Sequence, residues 1–232
     1  MSTERGNGST GIRAVILDYG EVLCYMPTAE NWGRMANLFK IDPVLFRQLW
    51  GRNRLLYDRG DLSYEAYWSE VADAAKFKLE PEHLKVLSVW DVEMWARINP
   101  AMVAWLKRLH SSGIKTGLLS NMPHDMIRYA RKNFAWLSDF DNQTFSAEVR
   151  LTKPDAAIYR HSLDALGAAA SETLFVDDRE TNVEGARGVG IHAIRFQTVG
   201  QFKDELAALG FSVLPVDAES SSAVPTSGAA AQ

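Results

Sequence analysis

Two short apolar runs in this chain end in aspartate. Residues 12–18 read IRAVILD and residues 173–177 read TLFVD. Side chains that are apolar at consecutive positions, rather than alternate ones, suit a strand buried on both faces, the condition inside a parallel sheet. Three further segments read as strands: 115–120 (KTGLLS, ending in a hydroxyl), 142–146 (NQTFS, weaker) and 192–196 (HAIRF). Helical patterns separate the later ones. Residues 99–112 carry Met102, Val103, Leu106 and Leu109 at helical spacing, with Gly113 suited to the end. Residues 122–133 and 154–166 each begin with a proline fit for a first turn, and 181–189 and 201–209 complete the series. Strand and helix in alternation predict βαβ units and a doubly wound, Rossmann-like α/β fold.

One stretch breaks the alternation. Between residues 26 and 97 only amphipathic helix patterns occur, over 29–39, 43–57, 64–75 and 81–96, with a turn at Arg59, Gly60 and Asp61 and a cap at Ser63. An all-helical insertion after the first strand predicts a cap subdomain over that strand's carboxyl end, the edge where open α/β sheets bind ligands. The expected organisation is therefore a core of residues 12–25 and 98–213, a helical cap of 26–97, a disordered leader of 1–11 and a disordered tail of 214–232.

The bulk properties narrow the partners. The 232 residues carry a formal net charge of −4 and lack the basic stripe of a nucleic-acid-binding surface. The same balance opposes docking on anionic membranes, and no apolar run approaches the ~20 residues of a membrane span. Cys24 is the one cysteine, which rules out an internal disulfide and points to a cytoplasmic location. A monomer or a homodimer is expected.

Polar residues sit at four predicted strand ends or just beyond: Asp18, Ser120 with Asn121, Lys153, and the pair Asp177 and Asp178. Each alone has an ordinary structural role as a cap, a turn or a surface charge. Together they converge, because parallel strands bring their carboxyl ends to one edge. Three carboxylates in one place repel each other and lose solvation. A divalent cation relieves both costs, and hard oxygen ligands favour Mg²⁺. Lys153 adds positive charge for an anionic substrate, and Ser120 and Asn121 add neutral donors. That set serves phosphoryl transfer.

AVILDYGEVL (14–23) resembles the first motif of the haloacid dehalogenase-like superfamily, LLSNM (118–122) the second, RLTKPDAAIY (150–159) the third, and LFVDDRETNVEGARGVGI (174–191) the fourth. The resemblance implies a phosphatase acting on a small phosphorylated metabolite. Asp18 would be the nucleophile, forming an aspartyl-phosphate, and a Mg²⁺ ligand. The backbone carbonyl of Gly20 and the carboxylate of Asp178 would complete the protein's share of the metal site. Asp177 would act through water or orient Lys153, which neutralises the nucleophile. Ser120 and the Asn121 backbone amide would hold the phosphoryl group, Asn182 would support the site from behind, and Glu21 would contact substrate.

The chain departs from the family at Gly20, where an aspartate usually protonates the leaving group. General acid–base help is worth roughly 10²–10⁴-fold, so three readings follow. A phosphatase preferring good leaving groups, such as a sugar 1-phosphate, resembles a bacterial D-x-G-x-V branch whose likeness extends to YDRGDLS (57–63) in the cap. A metal-independent 2-haloacid dehalogenase also lacks that acid, but carries its aromatic residue one place later than Tyr19. A catalytically weak binding or regulatory protein is the third. Glu21 could stand in for the acid only by turning back into the site. Trp32, Trp50, Trp68, Trp90 and Trp95 in the cap are expected to be core residues, and Arg52, Arg54 and Arg59 a solvated face.

Overall fold

The computed structural model describes residues 11–215. The expected leader and tail lie outside the described residues except at Gly11, Leu214 and Pro215. One boundary shifts there. Leu214 packs on the core, and its carbonyl accepts from Arg108 Nη1 at 2.6 Å, while the Val213 carbonyl accepts from Trp105 Nε1 at 2.6 Å.

In chain order the elements are β1 (Ala14–Leu17), α1 (Ala29–Phe39), α2 (Pro43–Arg52), α3 (Arg54–Asp58), α4 (Tyr64–Ala74), α5 (Pro81–Glu93) and α6 (Pro100–Ser111). They continue with β2 (Lys115–Ser120), α7 (His124–Asn133), β3 (Asn142–Phe145), α8 (Ser146–Val149), α9 (Ala156–Leu166), β4 (Thr173–Asp177), α10 (Glu180–Arg187), β5 (His192–Arg195) and α11 (Val199–Ala208). The five strands form one parallel sheet in the order β3-β2-β1-β4-β5. Every residue of β1 and β4 is buried, which is why their sequences are apolar without alternation. Successive side chains still point to opposite faces. Val15 and Leu17 join a cluster with Met102, Trp105 and Leu106 of α6 and Phe202 and Leu206 of α11. Ala14 and Ile16 join another with Ile158, Tyr159 and Leu163 of α9 and Ala186 of α10. The fold is thus the doubly wound α/β architecture expected, with helices on both faces.

The helices between β1 and α6 bury a third cluster of their own, built on Phe39, Phe46, Tyr67, Trp68 and Leu87. The chain leaves the core and returns to it at one place. Cys24 and Ile98 form an antiparallel bridge, Tyr25 N–H donates to Arg97 O at 2.7 Å, and Asn99 N–H donates to Leu23 O at 2.9 Å.

Local departures from the expected elements have local causes. The helix expected over 43–57 breaks at Asn53 (φ −117°, ψ 16°), where Gly51 and Asn53 supply two weak helix formers close together. The Asn53 amide donates to Glu70 instead. The helix expected over 81–96 stops at Glu93. Pro123 stands just before the first turn of α7 rather than within it. The four-residue α8 had been read partly as strand end, since a single turn is too short to show a period.

Gly185 couples the fold to the site. A β-carbon there would lie 2.6 Å from Pro154 O and 3.1 Å from Pro154 Cβ, so its absence lets α10 pack against the segment carrying Lys153. Gly185→Ala is expected to cost roughly 1–3 kcal/mol as overpacking, measured by urea unfolding. Unchanged stability would show that the contact is relaxed at no cost.

Candidate active site

Asp18 follows β1 at the centre of the sheet. Its N–H donates to Val176 O at 2.9 Å, which sets it beside Asp177 at the end of β4. Asp18, Ser120, Lys153, Asp177 and Asn182 are all buried. The third motif delivers Lys153 between the two aspartates. Its Nζ lies 2.7 Å from Asp18 Oδ1 and 2.7 Å from Asp177 Oδ2. Burial pulls the ammonium's pKa down, and the paired charges of Asp177 and Asp18 outweigh it, so the net shift is upward. Lys153 is therefore a fixed cation.

Asp177 is saturated by protein donors. Besides Lys153, the Arg179 N–H reaches Oδ1 at 2.9 Å, and Asn182 Nδ2 lies 2.9 Å from Oδ1 and 3.1 Å from Oδ2. The Asn182 carbonyl in turn accepts from Tyr159 OH at 2.7 Å. This arrangement orients Lys153. Asp18 also has an assigned oxygen, since Tyr19 N–H donates to Oδ1 at 2.7 Å. Burial pushes the Asp18 carboxyl up to about 7; Lys153 opposes this, and repulsion from Asp177 and Asp178 adds to it. Burial, then Asp177 and Glu21, push Asp178 to about 6. Asp18, Asp177 and Asp178 each offer an oxygen within 4.8 Å of the others. Three carboxylates against one ammonium leave two negative charges unbalanced, and a hard divalent cation fits that deficit.

The second motif lies at the end of β2. Ser120 is the last residue of that strand and shares a cavity lining with Asp18. The group of Asn121 expected to face a phosphoryl group is its backbone amide. Its side chain is engaged elsewhere: Nδ2 donates to Lys153 O at 2.9 Å and Oδ1 accepts from Lys153 N–H at 2.9 Å. A side-chain amide presents both donor and acceptor, so Asn121 braces the backbone of Lys153. Gly20 and Glu21 line the cavity as well. Glu21 adopts φ 56°, a left-handed conformation that costs a residue with a β-carbon about 1–2 kcal/mol.

The cap closes a cavity of ≈ 520 Å³ over these residues. Trp32, Trp50 and Trp95 line it, whereas Trp68 is fully buried in the cap's own core. Trp32 also belongs to the cap's buried core and Trp50 and Trp95 pack against it, so core tryptophans form part of the cavity wall. Tyr19 OH donates to Trp95 O at 2.6 Å, holding the cavity wall from below. Arg54 is not solvated either. Its side chain is only 12% exposed, its Nε reaches Asp58 Oδ1 at 2.8 Å, and its Nη1 lies 3.1 Å from both oxygens of Asp91. Its guanidinium also stacks 4.5 Å from the Trp50 ring centroid. Asp58 lines the cavity and is 9% exposed. Sequence reasoning missed Arg54 and Asp58, although their i,i+4 spacing and the YDRGDLS motif marked them.

That motif docks the cap on the core. Tyr57 OH donates to Asp125 Oδ2 at 2.7 Å, and Arg150 pairs with Asp61 at 3.2 Å. The Asp58 carbonyl accepts from Ser146 Oγ, which itself accepts from Met122 N–H at 2.8 Å. One hydroxyl thus ties the cap to the loop that carries Ser120 and Asn121.

Comparison with known proteins agrees with this geometry. The family described as haloacid dehalogenase-like hydrolase matches residues 12–190. A sesquiterpene phosphatase of Aspergillus oryzae is 32% identical over 96 residues, 41% of this chain and 48% of that protein. An (S)-2-haloacid dehalogenase of a Pseudomonas species is 25% identical over 203 residues, 82% of this chain and 86% of that protein. Against the first curated relatives it matches, the chain spans about a third to a half of their length. A HAD family enzyme of Bacteroides thetaiotaomicron, crystallised with magnesium and inorganic phosphate, superposes with a TM-score of 0.65 at 20% identity, covering 80% of this chain and 94% of the other. The motifs, the sheet that gathers them and the extent of the family match together place this chain in the haloacid dehalogenase-like hydrolase family.

Proposed function

We propose that the protein is a Mg²⁺-dependent phosphatase of small phosphorylated metabolites that works through an aspartyl-phosphate on Asp18. The observation that carries this reading is the charge deficit at the sheet edge. Asp18, Asp177 and Asp178 cluster around a single ammonium, and burial holds Asp18 and Asp178 well above the usual carboxylate range. A metal-independent site gains nothing from that repulsion. A phosphatase relative and a solved neighbour holding magnesium and phosphate support the same reading.

Asp18, Asp178 and the Gly20 carbonyl would hold Mg²⁺, with Asp177 kept for Lys153 by its four protein hydrogen bonds. The ion supplies charge neutralisation for the phosphoryl oxygens when bound. Asp18 attacks phosphorus, and Lys153 holds its Oδ1 and stabilises the charge gathering on the transferred group. Ser120 donates to a phosphoryl oxygen. The helices of residues 26–97 act as a cap that excludes water and contacts the rest of the substrate, with Glu21 at the floor. The site is a cytoplasmic one on this reading, and no helix among the described residues is long and apolar enough to cross a membrane.

A second reading, 2-haloacid dehalogenase, rests on the fuller coverage of the dehalogenase relatives. It is separated by one assay, halide release from 2-haloacids without metal.

Phosphate release from a panel of phosphate monoesters is expected to need Mg²⁺ and to vanish in Asp18→Asn. Full activity in EDTA, or in that variant, would overturn the mechanism. Lys153→Met leaves two buried carboxylates without their ammonium, a loss of about 3–5 kcal/mol. A carboxyl group with a raised folded pKa stabilises the fold below its unfolded pKa, and that stability is lost as pH rises through the folded value. The deficit of Lys153→Met in chemical unfolding is therefore larger at about pH 8 than at about pH 5. An equal deficit at both would show that Lys153 contributes packing alone.

A further inference from the structure

Gly20 leaves the family's usual acid position empty, and space is not the reason. A β-carbon at Gly20 would come no closer than 4.0 Å to Asp18 Oδ2 and Trp95 Cζ3. Another buried acid lines the same cavity, Asp58 of the cap. In-line displacement at phosphorus puts the leaving oxygen on the side away from the attacking one. With Asp18 at the sheet edge, that side faces the cap, and Asp58 belongs to the cap.

The position of Asp58 is fixed from both ends. Its carbonyl is tied through Ser146 Oγ to Met122 N–H, two residues beyond Ser120. Its Oδ1 accepts from Arg54 Nε at 2.8 Å. Arg54 also serves both oxygens of Asp91, so one buried guanidinium is shared by two carboxyl groups. Burial pushes Asp58 up to about 6. Arg54 opposes this, Asp91 reinforces it, and Arg179, on the loop after β4 and in the same cavity lining, opposes it. An acid poised there can both give and take a proton near neutral pH.

Resting on the phosphatase reading, we propose that Asp58 is the general acid–base of this enzyme, acting from the cap in place of the residue missing at Gly20. In the first half-reaction an Asp18 carboxylate oxygen bonds to phosphorus. The bond from phosphorus to the leaving oxygen breaks with its electron pair on that oxygen, which takes the Asp58 proton and departs as an alcohol. In the second, water attacks the aspartyl-phosphate at phosphorus, Asp58 accepts the water's proton, and phosphate leaves as Asp18 is regenerated.

The test uses p-nitrophenyl phosphate and phenyl phosphate, which are similar in shape but differ in the acidity of the phenol. Asp58→Asn is expected to lower kcat/KM on phenyl phosphate by roughly 10²–10⁴-fold and on p-nitrophenyl phosphate by less than about tenfold. A structural role would lower both alike, and equal losses overturn the proposal. Glu21→Gln is the control; a selective loss there, and not in Asp58→Asn, transfers the role to Glu21. Gly20→Asp gives a second measurement that leaves Asp58 intact. In an enzyme already holding an acid it raises phenyl phosphate turnover by less than about threefold, whereas a gain of about a hundredfold or more shows that no acid was present. A wild-type protein that releases no phosphate from p-nitrophenyl phosphate with Mg²⁺ rejects the phosphatase reading itself, an outcome distinct from the others.

Discussion

The ammonium of Lys153, 2.7 Å from Asp18 and from Asp177, is the interaction on which this site depends. Two buried carboxylates side by side are unstable without it. Much of the surrounding structure holds that one group still. Asn121 clamps its backbone from both sides, Asn182 and the Arg179 N–H fix the far carboxylate, and the bare Gly185 lets α10 press on Pro154. Residues that look like separate motifs in the chain thus converge on a single cation.

The core was legible because its signal is local. Consecutive apolar residues ending in an acid announce β1 and β4, and a proline or glycine punctuates most of the core helices. The acids and the lysine were legible because strand ends converge in a parallel sheet. The Arg54, Asp58 and Asp91 cluster was not, since Asp91 arrives from α5, 37 residues from Arg54, and nothing local links them. The cap tryptophans were legible in part. Helical periodicity tells which side of a helix faces inward, and inside this cap lie both an apolar core and a cavity. Trp68 lies in the core alone, while Trp32, Trp50 and Trp95 serve both.

The cap and the core divide the chemistry between them. The sheet edge concentrates three carboxyl groups around one ammonium. The cap contributes aromatic walls and one guanidinium committed to two acids. The two halves are held in register by short polar links such as Tyr57 to Asp125 and Ser146 to Asp58, placed within a few residues of the groups they align. A displacement of the cap therefore moves Asp58 and leaves Lys153 where it is.

The bridge between Cys24 and Ile98 has a consequence for the architecture as a whole. The inserted helices begin and end within one hydrogen bond of each other, Tyr25 N–H to Arg97 O at 2.7 Å. To the core, the insertion is equivalent to a tight turn. The sheet's strand spacing and register owe nothing to what lies between those two residues, and the entropy of closing the loop grows only slowly with its length. The insertion can therefore change in size and lining without disturbing the sheet, and any residue it supplies to the cavity changes with it.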